Sequence, residues 1–296
     1  MTSSFWIFMK RRKKQSDFLI YLVVRSIFSL PFCLFTVVVA IAVSLIIANN
    51  TGISKTVLRN LSLVFPQKSP DEKRRLLRQI LWEAGVNLYH SYQVVSRFRV
   101  KQMVAVEGLE HLDGAMAQGR GVIALSAHLS NFVLLLSYLS RRYPFKAVVN
   151  NPKNPYFARK IVEIRRLAGI SEIPRRPADQ AVIESLHWLK SGKALFLLAD
   201  EPRRKGVSVP FFGYPVGTST TPAVFSRRLD CVVLPISIVR RGQKYLIRIE
   251  PPLNLVRTDS TEEDIRQNTI LFNQVIERWV RTAPDQWFGW FTRRFR

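Results

Sequence analysis

The sequence predicts an α/β fold, a mostly parallel central sheet flanked by helices, preceded by an N-terminal membrane helix. Three observations predict it. Short apolar runs alternate with helical patterns between residues 121 and 282, the signature of parallel strands covered on both faces. Ser26 to Ala48 runs 23 residues without a charged side chain, enough to cross a hydrocarbon core of ~30 Å at about 1.5 Å per residue. Finally, 47% of the 296 residues are hydrophobic and 11% aromatic, which supplies a full core and excludes intrinsic disorder.

Taken in order, residues 1–50 form a basic N-terminus and anchor, and residues 51–296 an α/β domain. A secretory signal peptide with Lys10 to Lys14 as its basic region is the rival reading of the N-terminus. The apolar run is too long for one and ends at Asn49-Asn50 without a small-x-small cleavage site. Lys and Arg flank the run on both sides and Pro31 kinks its start. A re-entrant or interfacial helix with both flanks cytoplasmic therefore fits better than a plain span.

A polar connector follows, ending in Arg59-Asn60-Leu61 and Phe65-Pro66. Ser69-Pro70-Asp71-Glu72 then starts a long amphipathic helix running to about Arg99. Beyond it, Gly121–Ser126, Phe145–Asn150, Ala194–Ala199 and Cys231–Val239 read as buried strands, with a fifth apolar run at Lys244–Glu250. Helical patterns occupy about 131–141, 155–168, 177–191, 218–229 and 261–282. In sheets of this kind chemistry gathers at the carboxyl ends of strands.

The net charge is +24, from 45 Lys+Arg against 21 Asp+Glu. Residues 1–50 hold only six of the basic residues and one acidic one, so the excess belongs to the folded domain. Next to an anchor it points to anionic lipid headgroups or an acidic partner. No nucleic-acid-binding motif accompanies the charge, so nucleic acid is not expected as a partner. Cys33 and Cys231 cannot build a disulfide framework, and no Cys/His cluster has metal-ligand spacing. The 13 Gly and 16 Pro exclude collagen-like and low-complexity classes.

Four histidines are present, and their positions differ. His90 and His187 fall within helices and His111 in a polar loop, whereas His128 sits where the first buried strand passes into a helix, in Ser126-Ala127-His128-Leu129-Ser130-Asn131-Phe132. A hydrogen-bonded structural histidine is the plain alternative to a catalytic one.

The ordered set of motifs resembles the late acyltransferases of lipid A synthesis, the lauroyl/myristoyl type, within the glycerol-3-phosphate acyltransferase-like group. It comprises an apolar N-terminal helix with Pro31 near its start, Arg59-Asn60-Leu61 to Phe65-Pro66, and His128 with Asn131-Phe132. Lys153-Asn154-Pro155, Arg165-Arg166 to Gly169, and Asp200 after a buried strand follow. Val209-Pro210-Phe211-Phe212-Gly213, Thr218 to Pro222, and Pro284-Asp285-Gln286-Trp287 to Arg293-Arg294 complete it. The likeness spans nearly the whole chain. It implies transfer of an acyl chain from an acyl carrier protein thioester to a hydroxyl of a lipid A precursor at the bacterial inner membrane, with His128 as general base and no cofactor or metal. Such chemistry needs no Ser nucleophile, and the chain has no Gly-x-Ser-x-Gly elbow.

One position departs from that pattern. The motif acid expected five residues after His128 is Val133, and without an orienting carboxylate an imidazole base is poorly directed. Asn131 could orient the ring through its carbonyl or simply cap the following helix. Asp200 or Glu201 could supply the carboxylate from another strand end, or pair with Arg203 or Arg204. Alternatively, the chain acts on another glycolipid or lysophospholipid, or only binds lipid. The resemblance also suggests Lys153, Asn154, Arg159, Arg165 and Arg166 for the anionic acceptor, with Arg175 and Arg176 in the same cluster. Phe211 and Phe212 would line an acyl groove or close the core. Backbone N–H groups near residue 131, or Lys153, are candidates for stabilising an oxyanion.

Overall fold

The computed structural model describes residues 18–93, 103–152 and 154–295. The apolar N-terminal run is not one helix. Helix α1 spans Phe18–Phe28, and Pro31, extended at ψ 147°, separates it from α2 (Phe32–Ala48). Without an N–H and with a fixed φ, proline starts a helix far more readily than it continues one. After Ala48 the chain turns by 77° into α3 (Gly52–Val64). Among the described residues no single helix is long and apolar enough to cross a membrane; only the bent pair α2–α3 reaches that length and composition. The run Ser26–Ala48 is thus divided between the end of α1 and α2 rather than forming one helix. Lys10 to Lys14 lie outside the described residues.

α4 (Pro70–Gln93) opens as the sequence predicts. The Ser69 N–H donates to Glu72 Oε2 at 2.7 Å and the Glu72 N–H to Ser69 Oγ at 3.2 Å, a reciprocal cap that satisfies two orphan donors. The expected continuation to Arg99 lies outside the described residues. α2 docks on α4 through Phe35 and Val39. Gly85 admits that contact, since a Cβ there would fall 2.9 Å from Val39 Cγ1.

The domain then alternates β1 (Val104–Glu107), α5 (Leu109–Ala117), β2 (Val122–Ser126), α6 (Phe132–Ser140), β3 (Phe145–Val149), α7 (Pro155–Leu167), β4 (Ser171–Pro174), α8 (Ala178–Lys190) and β5 (Ala194–Leu198). A hairpin of β6 (Pro202–Phe211) and β7 (Tyr214–Thr218) leads to α9 (Thr221–Leu229), β8 (Val232–Arg241), β9 (Lys244–Ile249) and α10 (Thr261–Thr282). The seven-stranded sheet has the order β1-β9-β8-β2-β5-β3-β4, and every neighbouring pair is parallel except β8–β9. The α/β, mostly parallel fold is therefore present. β1, β4, α5 and the hairpin carry no strong pattern in the sequence because they are short or partly exposed.

One face of the sheet packs against α5 and α6, the other against α3, α4, α8, α9 and α10. Buried on both sides, β2 needs an unbroken apolar run, which Val122 to Leu125 provides. β2 and β5 are adjacent and in register, Ser126 opposite Leu198. The residues that follow each strand consequently meet at one edge of the sheet.

Candidate active site

His128 follows β2 and Asp200 follows β5, so the register of the two strands brings them together across 72 residues of sequence. His128 Nδ1 lies 2.8 Å from Asp200 Oδ1, and the His128 backbone N–H donates to Oδ2 at 3.0 Å. A carboxylate accepts only, so Nδ1 carries the proton and Nε2 is left as the basic nitrogen. The Asp200 side chain is 1% exposed and that of His128 27%. One is anchored; the other reaches solvent.

The charges are mutually supporting. Burial by itself disfavours the imidazolium, but the charge of Asp200 and its hydrogen bond outweigh that effect, with Glu201 adding to it, and hold the His128 pKa above its ordinary value. Burial likewise opposes ionisation of Asp200. His128, the indole of Trp287 and Arg294 overcome it, so the carboxyl stays below its usual range.

The C-terminal segment after α10 fixes both partners. The Trp287 indole N–H donates to Asp200 Oδ2 at 2.8 Å, the Ser130 N–H to the Gln286 carbonyl at 2.7 Å, and the Phe288 N–H to the His128 carbonyl at 2.9 Å. Arg294 donates to the Asp200 backbone carbonyl. Its guanidinium lies 4.2 Å from the Phe211 ring centroid, and burial pulls its pKa down to about 10. Gln286 ties this strap to β8, accepting from the Arg240 N–H at 2.7 Å and donating to the Arg240 carbonyl at 2.9 Å.

His128 opens onto a cavity of about 1030 Å³. Phe132, Val133, Leu136, Ile161 and Phe196 are among its apolar lining, while Arg25, Lys160, Arg165, Arg175, Arg176 and Arg203 bring positive charge against one carboxylate, Glu201. One wall is α1, whose Tyr21, Val24, Arg25 and Phe28 face inward at helical spacing.

A buried carboxylate–imidazole pair at the mouth of a large apolar cavity suits proton abstraction from a hydroxyl beside an alkyl chain. The model of the bacterial lipid A biosynthesis acyltransferase family matches residues 7–296. The chain belongs to that family. It is 27% identical over 245 residues to the lipid A biosynthesis palmitoleoyltransferase of Escherichia coli (strain K12), covering 80% of this chain and 77% of the relative. It is also 25% identical over 251 residues to the lipid A biosynthesis lauroyltransferase of the same organism, at 82% and 79% coverage. A phosphatidylinositol mannoside acyltransferase of Mycolicibacterium smegmatis is 24% identical over 249 residues, at 81% and 79% coverage.

In this member of the family the other residues picked out in the sequence are dispersed. Asn131 does not orient the imidazole. Its Oδ1 accepts from the Leu134 N–H at 3.0 Å and from Ser91 Oγ at 2.9 Å, capping α6, while Asp200 occupies Nδ1 of His128. Neither Asp200 nor Glu201 pairs with Arg203 among the described contacts; Glu201 pairs with Arg175 at 3.1 Å.

Asn154 caps α7 through the Tyr156 and Phe157 N–H groups. Arg165 lines the cavity but is engaged by Glu172 and by Asn151 at 3.0 Å. Arg159 and Arg166 are exposed on α7 and do not line the cavity. Lys153 lies outside the described residues. Phe211 and Phe212 do not line the cavity either. They pack with Trp287 and Phe295 at the turn of the β6–β7 hairpin, closing the core behind Asp200.

Sequence reasoning missed the partnership of Trp287 and Arg294 with Asp200, although both stand in a motif it had singled out. It also missed α1. The inward stripe Tyr21, Val24, Arg25 and Phe28 was legible as helical spacing, but nothing in the sequence told what it faced. Val133 sits in the first turn of α6, half-buried in the apolar wall. Among the described residues no group of three or more His, Cys, Asp or Glu is placed to hold a metal.

Proposed function

We propose that this acyltransferase moves a fatty acyl chain from an acyl carrier protein thioester to a hydroxyl of a lipid A precursor at the cytoplasmic face of the inner membrane. The observation that carries the reading is the His128–Asp200 pair opening onto a mostly apolar cavity whose lining also carries basic side chains. His128 Nε2 accepts the hydroxyl proton as the acceptor oxygen attacks the thioester carbonyl carbon. The tetrahedral oxyanion then collapses, the carbon–sulfur bond breaks, and the departing thiolate takes the proton from the imidazolium.

Asp200 holds the ring in the tautomer this requires and stabilises its cationic form. Val133 therefore does not remove the orienting carboxylate from the reaction; a neighbouring strand supplies one. Backbone N–H groups at the first turn of α6, beside His128, donate to the developing oxyanion in this reading, since a helix carries partial positive charge at its N-terminus. Arg25, Arg175, Arg176 and Arg203 suit the phosphates and acidic sugars of the acceptor.

Attachment to the membrane is supported by the outward stripe of α2, where Leu34, Val37, Ile41 and Leu45 are 53%, 53%, 56% and 57% exposed. The bent α2–α3 pair suits a re-entrant or interfacial seat, and the basic surface suits both anionic headgroups and an acidic carrier protein. Purified protein given acyl carrier protein thioester and lipid A precursor yields an acylated lipid, and His128→Ala abolishes it. Undiminished product from that variant would overturn the mechanism.

A further inference from the structure

The central sheet forks beside His128. β3 and β5 pair only from Phe145 opposite Ala194 to Ala147 opposite Phe196. Beyond that point β3 continues against β4 as far as Val149 opposite Pro174, while β5 continues against β2 as far as Ser126 opposite Leu198. Two strands that part company in this way leave a slot between Val148-Val149 and Leu197-Leu198.

The cavity occupies both sides of that slot. Side chains alternate across a strand, so Ala147, Val149, Phe196 and Leu198 belong to one face of the sheet and Val148, Leu197 and Ala199 to the other. The packing agrees: the first set joins the apolar cluster of α5 and α6, the second the cluster of α8, α9 and α10. All seven residues line the same cavity. On the first face it continues between Leu136 of α6 and Ile161 and Ile164 of α7; on the second it continues between Ala181 and Ser185 of α8 and Phe225 of α9. A single groove along one face would be lined by alternate strand residues only.

We propose that the cavity threads the sheet and holds two alkyl chains at once, one on each face, with His128 between them at the carboxyl edge. One arm takes the acyl chain of the thioester, and the other takes an alkyl chain that the acceptor lipid already carries. The acceptor class is thereby narrowed: a sugar or alcohol without its own acyl chain leaves one arm empty. Apart from Ser185, the residues named along both arms are apolar, which suits hydrocarbon. This assignment rests on reading the cavity as a site for acyl chains, and its test does not depend on catalysis.

The test is the stoichiometry of dodecanoate bound to the full chain in detergent, measured by native mass spectrometry below the critical micelle concentration of the fatty acid. The wild type binds two molecules. Ile164→Trp, filling the α6/α7 arm, leaves one, and Ala181→Trp, filling the α8/α9 arm, also leaves one; the double variant binds none. Where Ala181→Trp fails to fold, Val182→Trp serves, because Val182 lines the same arm and is 44% exposed. One molecule bound to the wild type, or loss of both with either single substitution, overturns the proposal. His128→Ala keeps the stoichiometry of two while losing transfer, so a failure of the chemistry and a failure of the two-arm cavity are read separately.

Discussion

Trp287 donates its indole N–H to Oδ2 of Asp200 at 2.8 Å, while His128 holds Oδ1 of the same carboxylate at 2.8 Å. With the His128 backbone N–H also donating to Oδ2, both oxygens of the carboxylate are held and its orientation is fixed. A residue in the segment after α10 thus helps to aim a base that follows β2.

Asp200→Asn removes the charge that raises the His128 pKa and leaves an amide that can fix the wrong tautomer. By analogy with a triad whose orienting aspartate is replaced by asparagine, kcat falls roughly 10⁴-fold. The pH–rate profile is the sharper measurement. In the wild type the rate climbs as His128 loses its proton above the ordinary imidazole range; in the variant that limb moves to lower pH, because the cause of the raised pKa has gone.

Trp287→Phe keeps much of the ring packing and deletes one donor. A hydrogen bond to a charged group contributes about 1.5–3 kcal/mol, so a tenfold or greater drop in kcat is expected, with KM little changed. An equal rise in KM and no change in kcat would show that the indole acts on substrate binding instead.

Phe211→Ala separates core from groove. Phe211 is fully buried between Phe212, Trp287 and Phe295. Truncating a buried phenylalanine costs about 3–5 kcal/mol, which urea unfolding registers, whereas the KM for the acyl donor stays close to that of the wild type in the folded fraction. Substitution of Phe196 in the cavity wall is expected to shift KM.

Val133→Glu restores the acid expected in the motif, but it yields no gain in rate. Nδ1 of His128 is already taken by Asp200, and a new carboxylate on the apolar wall is desolvated without a partner. A steady-state assay with fixed acyl donor decides it: increased turnover would mean that Asp200 does not orient the base.

The ion pair also writes itself into stability. His128 is raised in the folded state, so its contribution is fully present below the ordinary imidazole pKa of about 6.5 and is lost as pH rises through the raised value. Asp200 is depressed, so its contribution is present above the ordinary carboxyl pKa and is lost as pH falls through the depressed value. Unfolding of the wild type and His128→Gln across pH 5–9 is therefore expected to show an advantage for the wild type at the acid end that fades towards the alkaline end.

The sequence by itself determined the strands and helices whose patterns are long and unbroken. Val122 to Leu125 and Ala194 to Leu197 are buried on both faces, and nothing but apolar residues can sit there, so the code is strong. The same logic made His128 and Asp200 legible as strand-end residues. What they do to one another was not legible, because a hydrogen bond across 72 residues depends on which strands are neighbours and in what register. The sequence order of β2 and β5 says nothing about either.

Tertiary structure alone also decided the roles that residue type leaves open. Asn131 and Asn154 are good helix caps and good ligand donors, and local backbone geometry made them caps. Phe211 and Ile161 are equally apolar, yet one closes the core and the other lines the cavity. The break at Pro31 divided an apolar run long enough for one membrane helix between α1 and α2, and the turn after Ala48 set α2 at 77° to α3. Composition measures how much apolar surface must be covered; only packing selects what covers it.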